Sequence, residues 1–238
     1  MRVLRRSVSP SWALALVAFL IGQTASTSDP AWTTKAPLLA AQGWQIGAAV
    51  GGTVYSIGGT DGFNWLSTVE AYDPNTNTWV MKAPMPTARA VMGGAVVGSI
   101  IYAIGGAGGS ATVQAYDSDT DTWVTKAPMP TARRDLAAAA VGGTIYTFGG
   151  GNGGGPLSTV EAYDPNTDTW VTKAGMPTAR VNPAAAAVGG KIYVIGGQNS
   201  FYRATVEAYD PNTNTWTTKA PMPTARGMLA AAVVVGTI

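Results

Sequence analysis

Four arginines stand at matching positions, Arg89, Arg133, Arg180 and Arg226, each closing a Met-Pro-Thr-Ala-Arg string, and Gln42 holds the corresponding place earlier in the chain. Planar guanidiniums bind carboxylates in a bidentate manner, so a set brought to one mouth would attract an acidic group. The competing expectation is that a repeated Arg bonds neighbouring carbonyls or a glutamate of the next unit. Arg134 and Asp135 interrupt the pattern and are the more individual candidates. A second set is aromatic: Phe63 and Trp65, then Phe201 and Tyr202 with Arg203 beside them. Exposed rings next to amides suit sugar stacking or peptide capture; folded back, Phe63, Trp65 and Phe201 would instead cover sheet edges.

Other chemistries are excluded by what is missing. The 238 residues contain no His and no Cys, so neither a Ser-His-Asp triad, a His-ligated metal nor a disulfide can be built. No paired acids for glycoside hydrolysis stand outside turn positions. The glycine run Gly151–Gly155 is followed by no helix that could hold a phosphate. No catalytic residue, metal ligand or cofactor is therefore expected.

The elements that must position these residues are repeats. Val69–Ala88, Val113–Ala132, Val160–Ala179 and Val206–Ala225 are near copies, with Trp79, Trp123, Trp170 and Trp216 spaced 44, 47 and 46 residues apart. A period of that size marks a repeat architecture. Each copy adds a strand-like run ending in Gly-Gly, at 53–59, 100–106, 144–150 and 191–197. A Gly-Gly after a Tyr-containing strand, then Tyr-Asp, then Trp seven residues past the Tyr, resembles the kelch repeat, from about Ala31 to the last residue.

That resemblance implies an all-β fold: a kelch β-propeller of four complete four-stranded blades, at about 42–85, 89–130, 133–177 and 180–223. Partial blades at both ends, a lone last strand at Trp32 and a lone first strand from Arg226, lead us to expect a fragment of a six- or seven-bladed ring. Within a blade we name the strands a to d outward. The Ala-rich runs 137–140 and 184–187 have helical propensity, but small residues suit the innermost strand a, and the largest belong outermost in strand d. Length varies only between Gly-Gly and Tyr, so it sits in the b–c loops 60–67, 107–111, 151–158 and 198–204. Up-and-down strands bring these loops to the same face as the d–a loops that carry the arginines. The c–d turns with Asn77 and Asn214 lie opposite and are expected to add nothing to a ligand site.

Residues 1–26 read as a signal peptide: Arg2, Arg5 and Arg6, then an apolar run to Ile21, then small residues. We expect domain 27–238 to be secreted, periplasmic or on the cell surface. Lys and Arg total 15 against 13 Asp and Glu; without the leader's three Arg the balance is slightly negative, so no nucleic-acid partner is expected, and no membrane span once the leader is removed. The function expected is an exported binding module for a protein or glycan ligand. The alternative is a periplasmic mutarotase similar to the kelch N-acetylneuraminate epimerase, acting on an acidic sugar such as sialic acid, whose carboxylate an arginine ring would suit.

Overall fold

A computed structural model describes residues 32–107, 110–234 and 236–238; the expected leader lies outside the described residues. Blade 1 is built from β1 (Ile46–Val50), β2 (Thr53–Ile57), β3 (Val69–Asp73) and β4 (Thr78–Met81). Blade 2 contains β5 (Gly93–Val97), β6 (Ile100–Ile104), β7 (Val113–Asp117) and β8 (Thr122–Lys126). Blade 3 contains β9 (Ala137–Val141) and β10 (Thr144–Phe148), a small loop hairpin β11 (Gly151–Asn152) and β12 (Gly155–Pro156), then β13 (Val160–Asp164) and β14 (Thr169–Thr172). Blade 4 repeats this with β15 (Ala184–Val188), β16 (Lys191–Ile195), hairpin β17 (Gln198–Asn199) and β18 (Phe201–Tyr202), β19 (Val206–Asp210) and β20 (Thr215–Lys219). Each blade is one antiparallel sheet in the order a-b-c-d. The chain is all-β, with four complete four-stranded blades among the described residues.

The radial grading of side chains has a steric cause. The inner strands β1, β5, β9 and β15 pack successively against one another. A Cβ placed on Gly94 would lie 2.3 Å from Cγ2 of Ile46 in the preceding blade. That approach admits only Gly at this position, and the inner strands of blades 3 and 4 carry nothing larger than Ala until their last residue, so the alanine runs become strands despite their helical propensity. Strand c is buried along most of its length, whereas strand d is mostly exposed.

Between consecutive blades lie apolar clusters, the first uniting Tyr55, Ile57 and Val69 with Ile101 and Tyr116. Tyrosines meet across each interface: Tyr55–Tyr116, Tyr102–Tyr163 and Tyr146–Tyr209, with ring centroids 5.6–5.9 Å apart. Such pairs add about 0.5–1.5 kcal/mol each beyond the area they bury.

The Tyr-to-Trp spacing of seven is explained by a clamp. Tyr116 and Trp123 are cross-strand partners. The Tyr116 hydroxyl donates to Oδ1 of Asp121 (2.7 Å). The same oxygen accepts the backbone N–H of Ala83 in the blade before (2.8 Å), and Trp123 Nε1 donates to the Ala83 carbonyl (2.9 Å). Asn77, Asp168 and Asn214 repeat the arrangement on Ala36, Ala127 and Ala174. All four clamp residues have left-handed backbones, φ 55 to 57°, which Asn and Asp tolerate best. The c–d turns thus bind blade to blade.

The terminal strands differ from expectation. Trp32 to Pro37 forms no strand, although the clamp of blade 1 holds Ala36 as it would a strand-d end. From Arg226 onward the only β-bridge among the described residues is an isolated one between Val234 and Thr237. An inner strand pairs through strand b of its own blade, and no such strand lies beside it among the described residues.

Candidate functional site

On one face the backbone ties the b–c and d–a loops together. Arg89 N–H donates to the Leu66 carbonyl, and Gly59 N–H to the Arg89 carbonyl (3.0 and 2.8 Å). Blades 2, 3 and 4 make the same pair of bonds through Arg133, Arg180 and Arg226. This contact explains the Gly-Gly signature. The first glycine has positive φ, and a Cβ on Gly58, Gly105, Gly149 or Gly196 would lie 2.5–2.6 Å from the carbonyl oxygen of the following Arg.

The arginines themselves do not form a ring of free guanidiniums. Arg89, Arg133 and Arg180 are buried, and each side chain enters the blade that follows it. Arg133 donates to the Gly149 and Thr159 carbonyls (2.7 and 3.2 Å), to Oγ1 of Thr147 (2.7 Å) and to Glu161 (2.7 Å). Arg180 repeats this with the Gly196, Thr205 and Val194 carbonyls and Glu207. Arg89 meets Gln114 instead of a carboxylate (2.7 Å). The guanidinium fork supplies donors to carbonyls where strands b and c meet, among them those of Thr112, Thr159 and Thr205, which also accept the N–H of the first glycine. Burial lowers all three arginine pKa values; Glu161 and Glu207 oppose the effect, whereas Arg89, lacking a counter-ion, falls to about 10. Each of the three guanidiniums is thus occupied by carbonyls and by Gln114, Glu161 or Glu207. Arg226 is exposed, and no blade encloses it among the described residues.

Two residues past each of these positions the structure reveals what sequence reasoning missed. Trp44, Val91, Asp135, Asn182 and Met228 all have left-handed backbones, φ 52 to 58°. They are linked in series: Val91 N–H donates to the Trp44 carbonyl, Asp135 to Val91, Asn182 to Asp135 and Met228 to Asn182, over 2.8–3.2 Å. They precede the inner strands, so they form an arc around the axis. Left-handed backbone is costly for a branched residue such as Val91. The available signal was contrast: Pro-Thr-Ala-Arg repeats letter for letter, and two residues later the copies share nothing.

Of the residues expected at a site, Asp135 lies on this arc. Burial raises its pKa, with Arg134, 3.6 Å away, acting in the opposite direction. Arg134 is exposed. The loop aromatics stand clear of the sheets: Phe63 is 96% exposed, Phe201 79%, Trp65 56% and Tyr202 55%. Asp61 shapes the first loop, its Oδ1 accepting the N–H groups of Phe63 and Asn64, which lowers its pKa. Tyr202 lies against Gly227, where an added Cβ would be 3.0 Å from its ring. Arg203 replaces the Leu66 and Leu157 of other blades and sits near enough to Arg180 to lower its pKa further. Phe63 and Trp65 belong to blade 1; Phe201, Tyr202 and Arg203 belong to blade 4.

Four-stranded blades joined by Gly-Gly contacts, buried arginines and Tyr–Trp clamps define a kelch-type β-propeller architecture. The family model of the KLHDC2/KLHL20/DRC7 Kelch-repeats domain matches residues 48–238. The chain belongs to this kelch-repeat family. A search of curated proteins gives no match. Kelch-repeat domains are in general protein-binding modules, and among the described residues no helix is long and apolar enough to cross a membrane.

Proposed function

We propose that this chain is an exported binding module that receives a protein partner on the face formed by its b–c and d–a loops. The observation that carries this is the arc Trp44, Val91, Asp135, Asn182 and Met228, flanked by the exposed rings of Phe63, Trp65, Phe201 and Tyr202. An invariant backbone lock holds five dissimilar side chains, and strained backbone is kept where the side chain matters. Large, stiff aromatics bordering such an arc are the residue types that dominate binding energy. Arg134 and Arg203 add positive charge, which favours a segment with acidic residues among apolar ones. Export rests on the expected leader at 1–26. The mutarotase alternative drew on the exported address and on an arginine ring suited to a sugar carboxylate; that Arg89, Arg133 and Arg180 hold their guanidiniums within the blades supports the protein-binding reading over it.

Selection from a displayed peptide library, followed by titration of the enriched peptide, tests this reading. Trp65→Ala or Tyr202→Ala should weaken binding by about 1–3 kcal/mol. Asn75→Ala, on the opposite turn, should leave it unchanged. Equal affinity of all three variants would overturn the assignment of the face.

A further inference from the structure

On the other side of the molecule, blades 1 and 3 carry matching grooves along their outer strands. The groove of blade 1 has a volume of about 260 Å³ and is lined by Thr53, Asp73, Thr76, Thr78, Val80 and Lys82 over a floor containing Tyr55 and Ala71. The groove of blade 3, about 180 Å³, has the same lining in Thr144, Asp164, Thr169, Val171 and Lys173 over Tyr146 and Ala162. Each holds a carboxylate and an ammonium that are not within 4.0 Å of any opposite charge among the described residues. One oxygen of Asp73 accepts the Asn75 N–H, and Asp164 does the same with Asn166. The other oxygen has no hydrogen bond among the described residues.

The remaining blades differ at one position. Where blades 1 and 3 begin strand b with Thr53 and Thr144, blade 2 has Ile100, which packs into the core beside it. Blade 4 has Lys191, whose ammonium is paired with Asp210. The small threonine therefore leaves the carboxylate accessible, Ile100 adds bulk, and Lys191 occupies the carboxylate.

We propose that the two grooves are saccharide-binding sites, each taking a single neutral pyranose. An anion would meet Asp73 and a cation would meet Lys82, whereas neutral hydroxyls can donate to the first and accept from the second. The threonine hydroxyls do both, and half-exposed Val80 and Val171 offer an apolar contact for ring C–H groups. The volumes fall below the roughly 300–1,000 Å³ of sites for drug-sized ligands, which restricts the occupant to one small ring. Shallow polar sites of this kind bind with a dissociation constant on the order of 1 mM.

The test is calorimetric titration of the full chain with the methyl pyranosides of glucose, galactose and mannose, with glycine as the zwitterionic competitor. The expected result is two equivalents of at least one pyranoside. Thr53→Ile should reduce this to one and Thr53→Ile with Thr144→Ile to none, at an unchanged thermal midpoint, since Ile100 is already native at that position. Absence of pyranoside binding, displacement by glycine, or two equivalents retained by the double variant would overturn the proposal. None of these outcomes bears on the loop face, whose peptide titration is independent.

Discussion

Replacing Glu161 by Gln separates charge from hydrogen bonding at a buried guanidinium. Arg133 has no exposed surface and four acceptors, of which only Glu161 carries charge. Removing one partner of a buried ion pair costs about 3–5 kcal/mol when the remaining charge is stranded. Blade 2 shows that Gln need not strand it. Gln114 Oε1 accepts from Arg89 at 2.7 Å, the distance found between Arg133 and Glu161, and its amide turns to the hydroxyl of Thr87. The loss for Glu161→Gln is then only the ion–ion attraction net of the carboxylate's own desolvation, because the guanidinium remains a charged donor in both pairs. We expect about 1–2 kcal/mol, against about 3–5 kcal/mol for Glu161→Ala. Urea denaturation reads both; at roughly 2–4 °C per kcal/mol for a chain of this size, thermal midpoints separate them as well. The converse change, Gln114→Glu, should stabilise by about 1–2 kcal/mol by supplying Arg89 with the carboxylate it lacks. Equal costs for Glu161→Gln and Glu161→Ala, or destabilisation by Gln114→Glu, would refute the reasoning.

The inter-blade clamp gives a second expectation. Asp168→Ala should cost about 1–2 kcal/mol, because the Tyr163 hydroxyl, in a partly buried bond, loses its acceptor while the Ala127 N–H, whose bond is exposed, can turn to water, and Asp168→Asn should cost under about 1 kcal/mol, as Asn77 and Asn214 make the same bonds. The Tyr163 hydroxyl and the Ala127 N–H lower the pKa of Asp168. Its contribution is therefore present above the unfolded value, about 3.9, and lost as pH falls through the lower folded value; Asp168→Asn should flatten acid denaturation below about pH 3.9. Glycines should divide by surroundings rather than by φ. Gly149→Ala, whose Cβ would lie 2.5 Å from the Arg180 carbonyl oxygen, should cost roughly 3 kcal/mol or more. Gly142→Ala, with the same φ and open space around it, should cost about 1 kcal/mol in equilibrium unfolding. Finally, mass analysis of the exported protein should find an N-terminus near residue 27; export with Met1 retained would remove the localisation.

Much of the fold was legible because each blade writes its own instructions locally. Period, Gly-Gly and small inner residues are constraints that a blade meets mostly within itself and against a near-identical neighbour, so four copies state them four times. The grouping of b–c with d–a loops followed from strand alternation alone. The destination of a side chain that leaves one blade for the next was not legible. Arg89, Arg133 and Arg180 begin at the loop face and end inside the following sheet, where a long, forked donor reaches several carbonyls and a Glu or Gln side chain at once. Asn77 and Asn214 looked like idle turn residues until the neighbouring Ala36 and Ala174 were brought within reach of their oxygens. The left-handed arc from Trp44 to Met228 depends on a hydrogen bond between successive blades, and no single repeat contains both partners. Sequence determined the blade and the face it presents; only tertiary structure decided which polar residues hold blades together and which side chains remain free to meet a partner.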